Sequence, residues 1–387
     1  MTDIRRTAPG TELGPGTPPP TRPPRTAWAD NLKVVLVVGV IAAHATMAWT
    51  GLGTWVFDEP PVREPLLTVL TLVTAIVSLF GLPVFFLLAG YFTPRSFERK
   101  GPGRFLSDRA LRLLVPMVAY IVLLSPWIEF VDPDNTGWSQ GFWAFVPHVL
   151  WPPAPGPTWF LGVLFVLSAG YAGIRTVWPR RHSARLPLRL WHLFAIAALV
   201  AIASWTIRLG VPMGEERWHL AVAQAPGWLA GFVIGLLAAE RGWLPQDPDL
   251  ARRIRRVAWA AILLSVLVIA SSGPLGYEME LYLGGPTWQS GLLVAIEAVI
   301  ITTASLWVVD LFQRRFDHQG PPARQLARSA FAAFLVHQGV LVGLVLASRE
   351  VGAAPEVSYL AVASLGIVIS FLIGWLLTKV PGVRRIV

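Results

Sequence analysis

The feature that most constrains this chain is a series of apolar segments, most of them long enough to cross a bilayer, spread along almost its whole length. They fall at about 30–50, 66–92, 108–130, 158–178, 191–209, 223–241, 257–272, 289–311, 328–348 and 357–380. A span of ~30 Å of hydrocarbon takes ~20 helical residues, and in lipid the backbone must satisfy its own polar groups, which only helices and closed barrels do. The run at 257–272 is the shortest and is marginal for a crossing. With 54% hydrophobic and 14% charged residues, the sequence predicts an all-α integral membrane protein, a bundle of about ten transmembrane helices. Residues 1–27, rich in Pro, Thr and Arg without an apolar core, predict a disordered tail, followed by one transmembrane domain at 28–380 and a short basic tail at 381–387.

Charge decides orientation. Of the 32 Lys+Arg, 28 fall on the side holding both predicted ends, and Arg63, Arg208, Arg217 and Arg349 fall on the other. Under the positive-inside rule both termini are expected in the cytoplasm. The net charge of +9 is therefore topological, and nucleic acid is not an expected partner; membrane lipids are. The absence of Cys excludes disulfides, thiolate zinc sites and a cysteinyl acyl-enzyme. No G-x-S-x-G elbow or H-E-x-x-H pair is present, and no metal site is expected.

Within the first apolar run, WADNLKVVLVVGVIAAHATMAW, an ionisable side chain sits at membrane depth. His44 lies about 21 Å above Asp30 and 16–17 Å above Lys33 along a helix. Eleven residues make three turns plus ~20°, so Lys33 and His44 share a face, with Asp30 placed to cap the helix start. An ionisable group at that depth faces a polar cavity or a partner. The alternative is a histidine hydrogen-bonded between helices.

The stretch 81–116 carries the second signal. Arg95, Arg99, Lys100, Arg104, Arg109 and Arg112 face only Glu98 and Asp108 there, in what reads as a basic loop entering a third helix. Arg109 and Arg112, at i and i+3, project together, and guanidinium groups offer planar, bidentate donors to phosphate. Pro116 cannot donate to the carbonyl of Arg112, which predicts a bend. An ordinary positive-inside loop on lipid headgroups is the competing reading of the loop as a whole.

Four further residues are candidates. Glu297, roughly 12 Å inside its helix, is placed either to orient His44 or to pair with a Lys or Arg on another helix. His337 lies near mid-membrane, where packing or hydrogen bonding accounts for it, and it is carried as a substrate-site candidate. Trp159 and Phe160 either line a sugar or acyl path or anchor at the interface. The outer segment 131–157, with Trp138, Trp143 and Trp151, is either interfacial or one wall of an outer cleft.

Taken together, the motifs resemble those of the acyltransferase 3 family and, within it, the glucan-biosynthesis protein C type. Lys33, ten residues and His44 resemble its Arg/Lys-x10-His motif, and PVFFLLAGYF (83–92) its FF-x-x-SGF/Y motif. Arg109-Ala-Leu-Arg112 with Pro116, PTWFLGVLFVLS (157–168) and FAAFLVHQGVLV (331–342) resemble three more, in order along the chain. Lys33 stands where Arg is commoner, which keeps charge but loses the bidentate fork, and Ala89 where Ser is usual. The resemblance implies a multi-pass enzyme of a bacterial plasma membrane, moving an acyl group from cytoplasmic acyl-CoA to a hydroxyl of an extracytoplasmic glycan or related acceptor. It implies no permanently bound cofactor, since acyl-CoA is a substrate. In that reading Arg104, Arg109 and Arg112 hold the donor phosphates, Trp159 and His337 belong to the substrate site, and Lys33 and Glu297 accompany His44, whose neutral imidazole takes the hydroxyl proton. An acyl-histidine variant and a non-catalytic saccharide exporter are the alternatives.

Overall fold

The computed structural model describes residues 26–51, 55–132, 138–151, 153–179, 186–272, 274 and 276–383. The predicted tail at 1–27, apart from its last two residues, and positions 384–387 lie outside the described residues. The architecture is an all-α integral membrane bundle. Its helices are α1 (Ala27–Thr50), α2 (Leu66–Arg109), α3 (Val115–Leu123), α4 (Ser125–Phe130), α5 (Phe142–Val149), α6 (Trp159–Val177) and α7 (Leu190–Arg208). There follow α8 (Ala225–Arg241), α9 (Pro248–Ser272), α10 (Glu280–Leu283), α11 (Trp288–Arg315), α12 (Pro321–Val351) and α13 (Pro355–Leu377).

Among the described residues nine helical segments are long and apolar enough to cross a membrane, and each of the ten predicted runs coincides with one of them to within three residues at its ends or lies inside it. The difference in number has a local cause. Leu66–Phe130 is one near-continuous helical segment of 65 residues that takes in two runs. The expected basic loop is helical up to Lys100, because Arg, Glu and Lys are good helix formers. The bend is at Gly101 (φ 71, ψ 167), a left-handed position that favours glycine, and Pro102 then starts the next turn with its preset φ. The run at 257–272 is likewise the apolar part of the 25-residue α9, whose first turns carry Arg252, Arg253, Arg255 and Arg256.

α11 is the most buried of these spans and packs against α7 and α9. α2 lies along α8, while α1 lies between α2 and the α12–α13 pair. The α2–α8 contact is close because α8 presents Gly227, Gly231 and Gly235 at four-residue spacing. A Cβ at Gly231 would run into the carbonyl of Pro83, and one at Gly235 into that of Leu87; across the interface, one at Gly90 would meet the carbonyl of Phe232. Small residues at this spacing let helices approach where lipid offers no hydrophobic drive.

This contact generates a contrast of sign. Gly235→Ala is expected to destabilise the protein by about 1–3 kcal/mol through overpacking. Gly39→Ala, where a Cβ meets nothing within 4 Å, is expected to be neutral or to stabilise by up to about 1 kcal/mol through helix propensity. Thermal unfolding of the two variants in detergent checks the pair, and equal shifts would contradict it.

Candidate functional site

The first turns of α1 and α12 and the last turn of α13 meet at one end of the bundle, where Trp28 N–H donates to Asp317 Oδ1 (3.0 Å) and Asn31 Nδ2 to the Phe316 carbonyl (2.6 Å). A cavity of about 1160 Å³ opens at this end. Both ends of the described domain reach it, through Thr26 and Lys379. Nine cationic side chains line it: Lys33, Arg95, Arg99, Lys100, Arg109, Arg112, Arg324, Arg328 and Lys379, against Asp30 and Asp108. Lys33 pairs with Asp30 (3.2 Å), and Lys100 (2.7 Å) and Arg112 (3.2 Å) share Asp108. Two carboxylates cannot neutralise nine cations, so the cavity keeps a surplus of positive charge.

The geometry around the arginines follows from local sequence. Arg109 ends α2, with its Nη2 donating to Thr93 Oγ1 (3.2 Å) and its guanidinium 5.3 Å from the Phe105 ring centre. Ala110–Leu114 forms a π-helical turn immediately before Pro116. That is the response to the missing proline donor: the helix widens by one residue where the i→i−4 bond cannot form. Both arginines reach the cavity, Arg109 from the end of α2 and Arg112 from this turn. Arg104 does not; it is exposed and outside the lining, a correction to its expected place. Asp30 is corrected too, since α1 begins at Ala27 and the carboxylate sits within the first turn, bonded to Lys33.

Deeper in the bundle two histidines meet. His44 on α1 and His337 on α12 each lie about 25 Å from the cavity-side start of their helix. Their ring centres are 5.0 Å apart, and His337 Nε2 is 3.2 Å from His44 Nδ1. The protons can be assigned from their neighbours. A carbonyl only accepts, so His44 Nδ1, 2.9 Å from the Val40 carbonyl, carries a hydrogen. His337 Nδ1 faces the Phe334 carbonyl and carries one too. The neutral His337 then offers Nε2 as an acceptor for the His44 Nδ1–H, and the lone pair of His44 is left on Nε2, which makes no hydrogen bond among the described residues.

Two parts of this site had no signal in the sequence. Trp55, in the segment after α1, sets its ring 5.5 Å from that of His44, and its indole N–H is buried with no partner among the described residues. The segment is held down by Glu59 N–H on the Ala48 carbonyl (2.8 Å) and by the Glu59–Arg349 pair (2.7 Å). The second is Gly156, whose left-handed φ of 44 and lack of a Cβ let the chain pass against Tyr120 and Gln338, the hydrogen-bonded pair beside His337. α6 therefore starts at the depth of the histidines. Residues 133–137 and 152 of the outer segment lie outside the described residues; its described part includes α5, with Trp143 and Trp151 exposed.

Two expected neighbours are elsewhere. Glu297 does not bond His44: its carboxylate accepts from Arg208 Nη2 (2.6 Å), with both side chains almost wholly buried. Placing the carboxylate on a neutral imidazole would leave Arg208 unpaired in the bundle, so the ion pair wins. Trp159 packs on Trp228, ring centres 4.4 Å apart, and the next residue, Phe160, lines the cavity instead. Glu297→Leu is expected to cost about 3–5 kcal/mol of stability by stranding Arg208, with most of it recovered in Arg208→Met/Glu297→Leu. Detergent unfolding of the single and double variants checks this; an unaltered single variant would contradict it.

The model of the acyltransferase domain family matches residues 26–379 of this chain. Glucans biosynthesis protein C of Salmonella gallinarum (strain 287/91 / NCTC 13346) is 23% identical over 342 residues, covering 81% of this chain and 82% of that protein. The protein of the same name from Salmonella schwarzengrund (strain CVM19633) matches with the same identity and coverage. No solved structure matches the chain significantly. With a cationic cavity at one end, a histidine pair deep in a multi-pass bundle and a family match across nearly all of it, the chain belongs to the acyltransferase 3 family and is a membrane acyltransferase.

Proposed function

We propose that this protein transfers an acyl group from acyl-CoA to a hydroxyl of an extracytoplasmic glycan or related acceptor, with His44 as general base. The observation that carries the reading is the cationic cavity, which opens where the domain's two ends meet and runs inward along α1 and α12 toward His44. CoA is polyanionic and hydrocarbon excludes it, so its phosphates need fixed cations at the membrane surface, while its narrow pantetheine arm can follow a crevice between helices. The charge asymmetry of the sequence supports a cytoplasmic assignment, in a bacterial cell, for this end and for both termini.

The chemistry balances on the atoms available. The acceptor hydroxyl gives its proton to His44 Nε2 as its oxygen attacks the thioester carbonyl. The carbon–sulfur bond then breaks, and the CoA sulfur leaves as a thiol with the proton returned from the imidazolium. Throughout, His44 Nδ1–H stays between the Val40 carbonyl and His337 Nε2, so the ring is held in one tautomer.

His44→Ala is expected to insert and fold yet lose about 10²–10⁴ in transfer rate, the usual loss with a general base. Purified protein in proteoliposomes given acetyl-CoA and a glucan acceptor tests this, and retention of most activity would overturn the assignment. Arg109→Ala and Arg112→Ala are expected to weaken use of acetyl-CoA by about 1.5–3 kcal/mol, a charge-assisted hydrogen bond. Use of acetyl-pantetheine, which lacks the nucleotide, is expected to change little. Competition kinetics with the two donors decide it: equal losses would assign the arginines to structure.

A further inference from the structure

The cationic cavity does not reach the histidine pair. Among the residues lining it, the deepest on α1 is Val37, and neither His44 nor His337 is included. Seven residues of helix, about 10 Å, separate Val37 from His44. The cavity ends on three phenyl rings from three helices: Phe85 of α2, Phe160 of α6 and Phe334 of α12. The Phe85 and Phe160 ring centres are 6.1 Å apart, those of Phe160 and Phe334 are 5.0 Å apart at 88°, and Phe334 is 5.3 Å from the His337 ring. At these separations aromatic rings are in contact. The layer also changes chemistry. Below it stand Lys33, Arg109 and Arg112; at it the lining is Val37, Leu161, Leu164 and the three rings, with no charge among them.

We propose that Phe85, Phe160 and Phe334 form an aromatic collar through which the donor's acyl thioester must pass, and that the collar, not the cationic cavity, sets the bulk of acyl group this enzyme accepts. This rests on the reading of the cavity as the acyl-CoA site. The nucleotide is held by cations that are indifferent to the acyl chain. The apolar layer, in which the rings are the bulkiest side chains, meets the acyl carbons on the way to His44 Nε2. Because Phe160 touches both Phe85 and Phe334, passage past it requires rings to turn, and each added methylene asks for more displacement of packed side chains. Phe334 is the key member. Its backbone carbonyl holds the His337 proton while its ring closes the cavity, so the depth of the collar is tied to the position of the histidines.

The test is a donor series on detergent-purified, folded protein: acetyl-, butyryl- and hexanoyl-CoA with one acceptor, for the parent and for Phe334→Ala and Phe160→Ala. Phe160→Leu and Phe85→Leu keep the test open if an alanine variant does not fold, because leucine preserves most of the packing. The ratio of kcat/KM for hexanoyl- over acetyl-CoA is expected to rise about tenfold or more in the alanine variants and by a smaller factor in the leucine ones, on the scale that a few methylenes are discriminated by an apolar pocket. An unchanged ratio in folded variants that still transfer acetyl overturns the collar and leaves the proposed function standing. A parent protein that takes no acyl-CoA at all overturns both.

Discussion

What the rest of this structure depends on is the cost of leaving charge unpaired in hydrocarbon. Away from the cavity, ionisable groups inside the bundle are tied to each other: Arg208 to Glu297, Arg175 to Glu240 (2.6 Å) and Arg314 to Asp310 (2.7 Å). A lone charge there would cost several kcal/mol, so removing one partner of such a pair is costly even where apolar replacement of both is not. The cavity is the exception. Its cations outnumber its carboxylates, a condition tolerated because the space opens at the bundle's end and because polyanions are the natural complement. Where charge is paired the bundle is structural, and where it is left in excess it is available to a ligand.

The backbone departs from regular helix mainly at points that shape this space. Gly101 turns the chain between two spans, the π-helical turn ahead of Pro116 carries Arg112 at the cavity wall, and Gly156 brings the start of α6 down beside Gln338. Each break is local and has an identifiable residue behind it. Non-helical backbone at membrane depth is tolerated only within protein or along a polar cavity, and Gly156 meets that condition by packing on the Tyr120–Gln338 pair.

The helices, the lysine at the foot of α1 and the arginine pair were legible because each depends on composition or on spacing within one element. Arg109 and Arg112 are three residues apart, and Pro116 announces its own bend. Glu297 was not legible in the same way. Its partner Arg208 is 89 residues away on another helix, so sequence offered two choices, His44 or a distant cation, and only packing could decide. The His44–His337 contact spans 293 residues and was hidden for the same reason. Trp55 carried no motif at all. The glycines of α8 were different: their four-residue spacing is visible in the sequence, but what they admit, the backbone of α2, is not.

In the proposed reaction the histidine pair orients the base, and its membrane depth gives a reason why a pair of imidazoles suits that role. A carboxylate partner would bring a permanent charge to a site about 25 Å along α1, and that charge would need its own counter-ion or water. A second neutral imidazole offers an acceptor without one. His337 has its own proton committed to the Phe334 carbonyl, so its Nε2 is free only to accept, and His44 is left with its lone pair on Nε2. The resting pair is then uncharged, and in the proposed reaction charge arises only while the hydroxyl proton rests on His44. At that moment His337 Nε2 and the Val40 carbonyl are already placed as acceptors for the Nδ1–H, so the imidazolium is met by fixed dipoles and no solvent has to reorganise around it. The same carbonyl that holds the His337 proton belongs to the residue whose ring ends the cavity, so in the proposed reaction the helix that orients the base also delimits the path to it.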